Sequence, residues 1–176
     1  MRITVSGLPG SGTTSLSRYL AQRHGFEMIS AGEVFRQLAK EHHMELAEFG
    51  RLAEEDSSYD KMIDARQKEI AESRDNIIVE GRLSGRMVSE ADLRIWLFAP
   101  IDCRIQRIVF RDQVIDEITA MQLTLEREQC EAIRYRSYYD IDINDLSAYD
   151  MVLNSGHWGV EGLGAIVDTA IEQLNS

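Results

Sequence analysis

The segment SGLPGSGTTS combines closely spaced glycines with hydroxyl side chains. Gly7 and Gly12 are spaced as in the phosphate-binding pattern Gly-x-x-x-x-Gly-Lys-[Ser/Thr], with Thr14 at its final hydroxyl position and Thr13 in place of its lysine. Backbone N–H groups of such a loop wrap an anion before a helix N-terminus, and the Thr14 hydroxyl suits Mg²⁺. Without the lysine, a plain glycine-rich turn remains the alternative. The predicted phosphate-binding residues are Gly7, Leu8, Pro9, Gly10, Ser11, Gly12, Thr13, Thr14 and Ser15.

Two further segments place glycine and arginine after apolar, strand-like runs. In ISAGEVFR, Ser30 and Gly32 follow one run and Arg36 comes a helical turn later. In VEGRLSG, Arg82 follows another run, at the sheet edge where open α/β sheets bind ligands. Because arginine binds phosphate in bidentate fashion, Arg36 and Arg82 could each reach a substrate phosphate, and Gly32 allows a ligand to approach closely. Taken alone, the first segment fits better a capped helix with a solvated arginine.

Charged residues recur at helical spacing in the second half of the chain: Arg104, Arg107 and Arg111, then Arg127, Glu131 and Arg134. Spacings of three and four put each group on one helix face. An Arg–Glu–Arg stripe by itself is most often a solvated, ion-paired surface of small energetic value. Beside a phosphate loop it becomes a clamp that closes over phosphates, which is the interpretation we favour.

Carboxylates also recur, at Asp56, Asp60 and Asp64. Their spacing indicates either a solvated acidic face or a set of acceptors for a ribose or a base edge. We take Asp60 as a candidate substrate-binding residue. Cys103 and Cys130 form no CxxC pair, and both are expected to be small buried hydrophobes in a reducing compartment.

The composition restricts the classes of function. The chain has 176 residues and a formal charge of -11, which suits one domain whose surface repels nucleic acid and anionic membranes. No apolar run approaches the roughly 20 residues that span a bilayer, and the N-terminus does not resemble a signal peptide. We therefore expect a cytoplasmic monomer whose partners are small molecules, with no nucleic-acid or membrane partner.

The pattern along the chain indicates how these residues are positioned. Apolar, β-branched runs near 2–6, 26–29, 76–80, 92–98 and 149–153 alternate with helical patterns. This alternation predicts an α/β fold, with a five-stranded parallel sheet covered by helices on both faces. Helical patterns near 31–75 and 104–140 are longer than plain crossovers need, so we expect them to form a substrate-holding flap and a lid over one domain, 1–176.

Together these motifs resemble P-loop nucleoside monophosphate kinases, specifically archaeal-type cytidylate kinases. The resemblance rests on ITVSGLPGSGTT, ISAGEVFR, ARQ (65–67), VEGRLSG, RIWLFAP and the stretch from 126 to 154, and so covers nearly the whole chain. Archaeal members of this family commonly carry threonine at the lysine position of the loop, which makes Thr13 typical of them.

The resemblance implies ATP as phosphate donor, CMP or dCMP as acceptor, and Mg²⁺ bound through Thr14. It implies that the glycine-rich loop holds the ATP phosphates, and that Ser30, Gly32, Arg36, Asp60, Arg82 and Glu131 bind the acceptor. It implies catalytic roles for Arg82, Arg107, Arg127 and Arg134.

The chain departs from the bacterial pattern at three points. Glu131 replaces an aspartate, Leu83 replaces an aspartate that helps to read cytosine, and Asp60 stands near the place of an arginine. Base reading therefore does not carry over from bacterial relatives. Arg107 or Arg111 is our candidate for the cation that replaces the loop lysine.

Two alternatives stay open at this point. One is a kinase for another small acceptor, such as AMP, UMP or dephospho-coenzyme A. The other is a nucleotide-binding module without turnover, which the missing lysine suggests. An inert module has no need for arginines on three separate elements, so we favour an enzyme.

Overall fold

Five short apolar segments form one parallel sheet in the computed structural model, which describes residues 1–45, 48–49, 52, 56, 58–112 and 116–174. For Asp60 and Asp112 it describes the backbone but not the side chain. The strands are β1 (Arg2–Gly7), β2 (Glu27–Ser30), β3 (Ile77–Glu80), β4 (Leu93–Phe98) and β5 (Met151–Asn154). The sheet order is β2-β3-β1-β4-β5, and all neighbouring pairs are parallel. The predicted α/β class and five strands are confirmed.

Helices connect the strands as the sequence pattern predicts. The short helix after β3 was not predicted, because four residues are too few to show helical periodicity. A helical pattern over 44–56 falls largely outside the described residues. The helices with described bounds are α1 (Thr13–His24), α2 (Ala31–Glu41), α3 (Ser58–Glu72), α4 (Ser84–Met87), α5 (Ile101–Asp112), α6 (Glu117–Tyr139) and α7 (Val160–Leu174).

Apolar side chains alternate between the two faces of the sheet. Ile78 points to a core shared with Leu16 of α1 and Val167 of α7. Its neighbours Ile77 and Val79 point to the opposite face, towards the α3 side. The period of two along β3 therefore buries both faces, as a parallel sheet with helical crossovers requires.

The two long helical segments have small cores of their own. Phe49 is fully buried among Val34, Leu38 and Ile63, which joins α2 to α3. Ile105, Ile108 and Ala120 join α5 to α6 in the same way. None of the described helices is both long enough and apolar enough to cross a membrane.

The carboxyl ends of all five strands meet at one edge of the sheet. Parallel pairing places Val5 opposite Glu80, Ser30 opposite Glu80, and Phe98 opposite Asn154. The loops that follow the strands therefore lie side by side along this edge. They carry the glycine-rich loop and the residues around Arg82.

Candidate functional site

The carbonyl oxygens of the glycine-rich loop are bound by side chains, four of them by residues outside the loop. Every carbonyl oxygen from Gly7 to Ser11 accepts a hydrogen bond. In a trans peptide the C=O of one residue and the N–H of the following residue point in opposite directions. The N–H groups that follow these bound carbonyls therefore face the inside of the loop, except that of Ser11, which donates to the Leu8 oxygen. The donors are Arg82 Nη1 to Gly7, Ser11 Oγ to Leu8 at 2.7 Å, Arg104 Nη1 to Pro9 at 3.1 Å, Arg107 Nη1 to Gly10 at 3.2 Å and Ser155 Oγ to Ser11 at 2.6 Å.

Two glycines make this loop shape possible. Gly10 and Gly12 have φ angles of 79° and 90°, in the left-handed region that side chains disfavour. A Cβ on Gly10 would also lie 2.6 Å from the backbone oxygen of Arg104. The loop therefore fits against α5 only with glycine at this position.

A cavity of about 630 Å³ opens on the α1 side of the loop. Its lining combines glycine and hydroxyl residues of the loop with three arginines (Arg18, Arg107 and Arg111) and one tryptophan, which is a combination that suits a nucleotide polyphosphate. The residues that line it include Gly10, Gly12, Thr13, Thr14, Ser15, Arg107, Arg111, Ser155 and Trp158.

A second cavity, of about 1130 Å³, lies between α2, α3, the end of β3 and α6. It is lined by charged groups of both signs together with aromatic and aliphatic side chains. The residues that line it include Gly32, Phe35, Asp64, Gln67, Glu80, Arg82, Arg127, Glu131, Arg134 and Tyr138.

The two cavities meet at one pair of side chains. Thr13 lines the first cavity and Glu80 the second, and Thr13 Oγ1 donates a hydrogen bond of 2.7 Å to Glu80 Oε1. Burial raises the pKa of Glu80 above its usual value, although Thr13, Arg82 and Thr14 act in the opposite direction. A ligand in one cavity can therefore approach a ligand in the other beside a half-buried carboxylate.

Glu131 organises the arginines of the second cavity. Its Oε2 accepts from Arg82 Nε at 2.7 Å, and its Oε1 accepts from Arg127 Nε at 2.8 Å. Burial would raise the pKa of Glu131, but the Arg82 and Arg127 guanidiniums outweigh it and the pKa lies below the usual value. Burial would likewise lower the pKa of Arg82, but Glu131 raises it. This ion pair is therefore charged at neutral pH and joins the turn after β3 to α6.

Other predicted site residues lie in different surroundings. Gly32 and Arg134 line the second cavity. The Ser30 hydroxyl caps α2, accepting from the Glu33 N–H at 3.1 Å, while Glu33 bonds back to the Ser30 N–H. Arg36 is exposed beside Gly32 and is not part of the cavity wall among the described residues. The side chain of Asp60 lies outside the described residues.

Sequence reasoning missed Glu80 and Ser155 as site residues, and it gave no role of their own to Gln67 and Arg104. Glu80 precedes the predicted Gly81–Arg82 pair, so its place at a strand end was a usable signal. Gln67 appeared only within the ARQ motif and Arg104 only within a series of helically spaced arginines, whereas Ser155 gave no local signal. Gln67 Nε2 donates to the backbone oxygen of Glu80 at 2.9 Å, and Arg104 is only 5% exposed.

The donor set at this junction fits Mg²⁺. Thr14 supplies a hydroxyl and Glu80 a carboxylate, and the two side chains are close enough for Thr14 to lower the pKa of Glu80. Hard oxygen ligands of this kind, completed by phosphate oxygens and water, are those that Mg²⁺ takes at phosphate sites.

Comparisons with known proteins point to one family. Residues 2–157 match the model of the cytidylate kinase-like family. A cytidylate kinase from Methanoregula boonei is 76% identical over 174 residues, covering 99% of this chain and 96% of that protein. A cytidylate kinase from Methanosphaerula palustris is 66% identical over 171 residues, covering 97% of each chain.

Solved structures agree on the fold. Shikimate kinase from Bacteroides thetaiotaomicron matches with a TM-score of 0.68 at 15% identity, covering 98% of each chain. At this identity the match concerns the fold alone. It is the fold predicted from the sequence, a P-loop kinase with helices on both faces of a parallel sheet.

Proposed function

The chain belongs to the cytidylate kinase-like family, and from this premise we propose that it transfers the γ-phosphate of ATP to CMP or dCMP, giving ADP and CDP or dCDP. The observation that carries the proposal is the junction of two cavities at Thr13 and Glu80. One cavity is built around a phosphate loop and the other around guanidiniums. Two phosphorylated substrates bound there would meet at that junction.

The first cavity is proposed to take ATP. The loop N–H groups of Gly10, Gly12, Thr13 and Thr14 would bind its β- and γ-phosphates, with the N-terminus of α1 behind them. Arg107 lies against the loop, 3.9 Å from the position of a Cβ on Gly12. This contact supports Arg107 over Arg111 as the cation that replaces the loop lysine.

The second cavity is proposed to take the acceptor nucleotide. Arg82, Arg127 and Arg134 would bind its phosphate, and Glu131 would hold the first two of these arginines in place. Ser30, Gly32 and Arg36 remain candidates at its entrance, and Asp60 remains a candidate on α3.

The chemistry follows from charge and alignment. In phosphoryl transfer the protein must place an oxygen of the acceptor phosphate in line with the γ-phosphorus and neutralise the charge that spreads over the transferred group. No catalytic base is required, because a nucleoside monophosphate is largely ionised at pH 7, with a second pKa of about 6. Arg82 contacts both the loop, through the Gly7 oxygen, and Glu131, so it stands where the two phosphates would approach.

Thr14 and Glu80 would hold Mg²⁺, which supplies further positive charge to the donor phosphates. Glu80 Oε1 accepts the hydrogen bond from Thr13, and the Thr14 hydroxyl lies close enough to Glu80 to lower its pKa.

The proposal extends to the two long helical segments outside the sheet. The chain is proposed to act as a single cytoplasmic domain and a monomer, with the segment near 31–75 as a flap and the segment near 104–140 as a lid. Their separate small cores support movement as packed units. Closure would exclude water, which suppresses wasteful hydrolysis of ATP.

An acceptor panel tests this function. Purified protein with ATP and Mg²⁺ is offered CMP, dCMP, UMP, AMP and dephospho-coenzyme A, and ADP release and the phosphorylated product are measured. We expect CMP and dCMP to give the highest kcat/KM. If they are the poorest acceptors, the protein is a kinase for another substrate. If no acceptor is phosphorylated at high enzyme concentration, it is a binding module.

A further inference from the structure

One carboxylate in the acceptor cavity does not suit a phosphate. Asp64 on α3 lines the cavity, and Tyr139 Oη donates a hydrogen bond of 2.7 Å to its Oδ2. Tyr139 is the last residue of α6, eight residues beyond Glu131, so it lies about 12 Å further along the helix axis. The cavity therefore has guanidiniums towards one end of α6 and a fixed carboxylate towards the other.

This polarity sets the direction of a bound nucleotide. A phosphate dianion is attracted by Arg82 and Arg127 and repelled by Asp64. The nucleoside end of the acceptor must therefore face Asp64. Aromatic and aliphatic side chains that also line the cavity, Phe35, Ile63 and Tyr138, offer the surfaces on which a base stacks.

Gln67 adds a second acceptor on the same helix face. It lies three residues after Asp64 and also lines the cavity. The backbone carbonyl oxygen of Glu80 can only accept a hydrogen bond, so it must face the amide nitrogen of Gln67, and Nε2 lies 2.9 Å from it. This contact fixes the orientation of the Gln67 amide. The amide oxygen is then the atom that Gln67 contributes to a ligand. Gly81 permits this contact, since a Cβ there would lie 3.2 Å from Gln67 Oε1.

On the basis of the proposed function, we infer that Asp64 and Gln67 read the base of the acceptor by accepting hydrogen bonds from an exocyclic amino group. The 4-amino group of cytosine has two hydrogens, one for each acceptor. Uracil has a carbonyl oxygen at that position, which opposes both acceptors, and its single N–H lies between two carbonyls. A site built for an N–H donor discriminates strongly against a substrate that lacks it, because its own polar groups lose their partner. Asp64 and Gln67 thereby do the work for which bacterial relatives use other positions.

The test combines removal of the Asp64 carboxylate from the protein with removal of the 4-amino group from the substrate. Steady-state kcat/KM is measured with CMP, with UMP, and with the CMP analogue that has hydrogen in place of the 4-amino group. We expect the wild-type protein to prefer CMP over the analogue and over UMP by about 100-fold or more. In Asp64→Asn the CMP/UMP ratio should fall at least tenfold, while kcat/KM for the analogue changes less than threefold.

Two variants accompany Asp64→Asn. Tyr139→Phe removes the hydrogen bond that fixes Asp64 and should lower the CMP/UMP ratio by a smaller factor, which keeps the test informative if Asp64→Asn folds poorly. Glu69→Gln changes an exposed carboxylate on the same helix and should leave the ratio unchanged.

The outcomes separate this inference from the proposed function. If Asp64→Asn lowers kcat/KM equally for CMP, UMP and the analogue, Asp64 is structural and the inference is wrong. If the ratio does not change in either variant, the inference is also wrong, although the enzyme is still a CMP kinase. If the wild-type protein phosphorylates neither CMP nor dCMP, the proposed function itself fails.

Discussion

Thr13 and Glu80 are joined by a side-chain hydrogen bond of 2.7 Å, although they come from different strand ends and line different cavities. The threonine that stands in place of the loop lysine thus has a partner of its own. Its hydroxyl binds the carboxylate that lies beside the proposed Mg²⁺ site. A residue that looks like a defect in the loop pattern is therefore part of the junction between the two cavities.

Thr13→Lys is expected to lower kcat/KM for ATP by about three- to thirtyfold without abolishing activity. A lysine at this position would form an ion pair with Glu80 and draw its carboxylate away from Thr14. ADP release with CMP as acceptor measures the effect. Thr13→Ser, which keeps the hydroxyl, is the control and should stay near wild type. A large gain in activity for the lysine variant would mean that Thr13 is a genuine defect.

Glu80→Gln is expected to lower kcat by about 100-fold or more, roughly 2.7 kcal/mol in the barrier, and to raise the Mg²⁺ concentration needed for half-activity. The same change should raise Tm by a few degrees at pH 7, because burial disfavours the ionised carboxylate in the folded protein. Activity assays and thermal unfolding measure the two effects separately. A variant with lower Tm and normal activity would contradict both expectations.

Arg82→Ala is expected to lower kcat/KM by 100-fold or more, roughly 2.7 kcal/mol, because the guanidinium stands between the loop and Glu131. Arg86→Ala is a matched control, because Arg86 is an arginine in α4, four residues after Arg82. Arg86 pairs with Asp145 instead of the cavity residues, so its loss should cost less than threefold. A loss under threefold for Arg82→Ala would remove Arg82 from the site.

Arg107→Ala is expected to raise KM for ATP about tenfold or more, with a smaller effect on KM for CMP. Arg107 holds the Gly10 oxygen and lies beside Gly12, on the donor side of the junction. Arg111→Ala should change KM for ATP less. Equal effects on both substrates, or a larger effect at Arg111, would point to another cation for the lysine position.

Glu131→Gln is expected to destabilise the protein by about 3 kcal/mol at pH 7, because it breaks a buried ion pair and leaves Arg82 with a neutral partner. The pKa of Glu131 is lowered in the folded protein. Its contribution to stability is therefore present above the unfolded-state pKa of about 4.5 and is lost as the pH falls through the lower folded-state value. The difference in unfolding free energy between wild type and variant, measured by denaturant titration from pH 7 to 3.5, should shrink below pH 4.5. A constant difference would show that the charge of Glu131 is unimportant.

Much of the sheet could be predicted from the sequence because its signals are local. Each strand is a short apolar run, and β3 ends at the glycine after Glu80. The helical patterns beside them have a different period, so the order of elements follows from periodicity alone. The four-residue helix from Ser84 to Met87 is too short to give such a signal.

The site could be predicted only in part, because its contacts join residues far apart in the chain. Spacing identified the loop and placed Arg127 and Glu131 on one helix face, which the structure bears out. It gave no indication that Thr13 meets Glu80, since 67 positions separate them. It also treated Ser30 as a ligand candidate, whereas its hydroxyl is engaged in capping α2.

The outward hydrogen bonds of the loop carbonyls affect how firmly the protein can hold a phosphate. Ordering a flexible glycine-rich segment upon binding would cost conformational entropy, at about 1–2 kcal/mol per residue. Arg82, Arg104, Arg107 and Ser155 order the segment when the chain folds, so an incoming nucleotide does not bear that cost. Folding bears it instead, and substitutions at these four residues should therefore weaken the fold as well as the affinity for nucleotide.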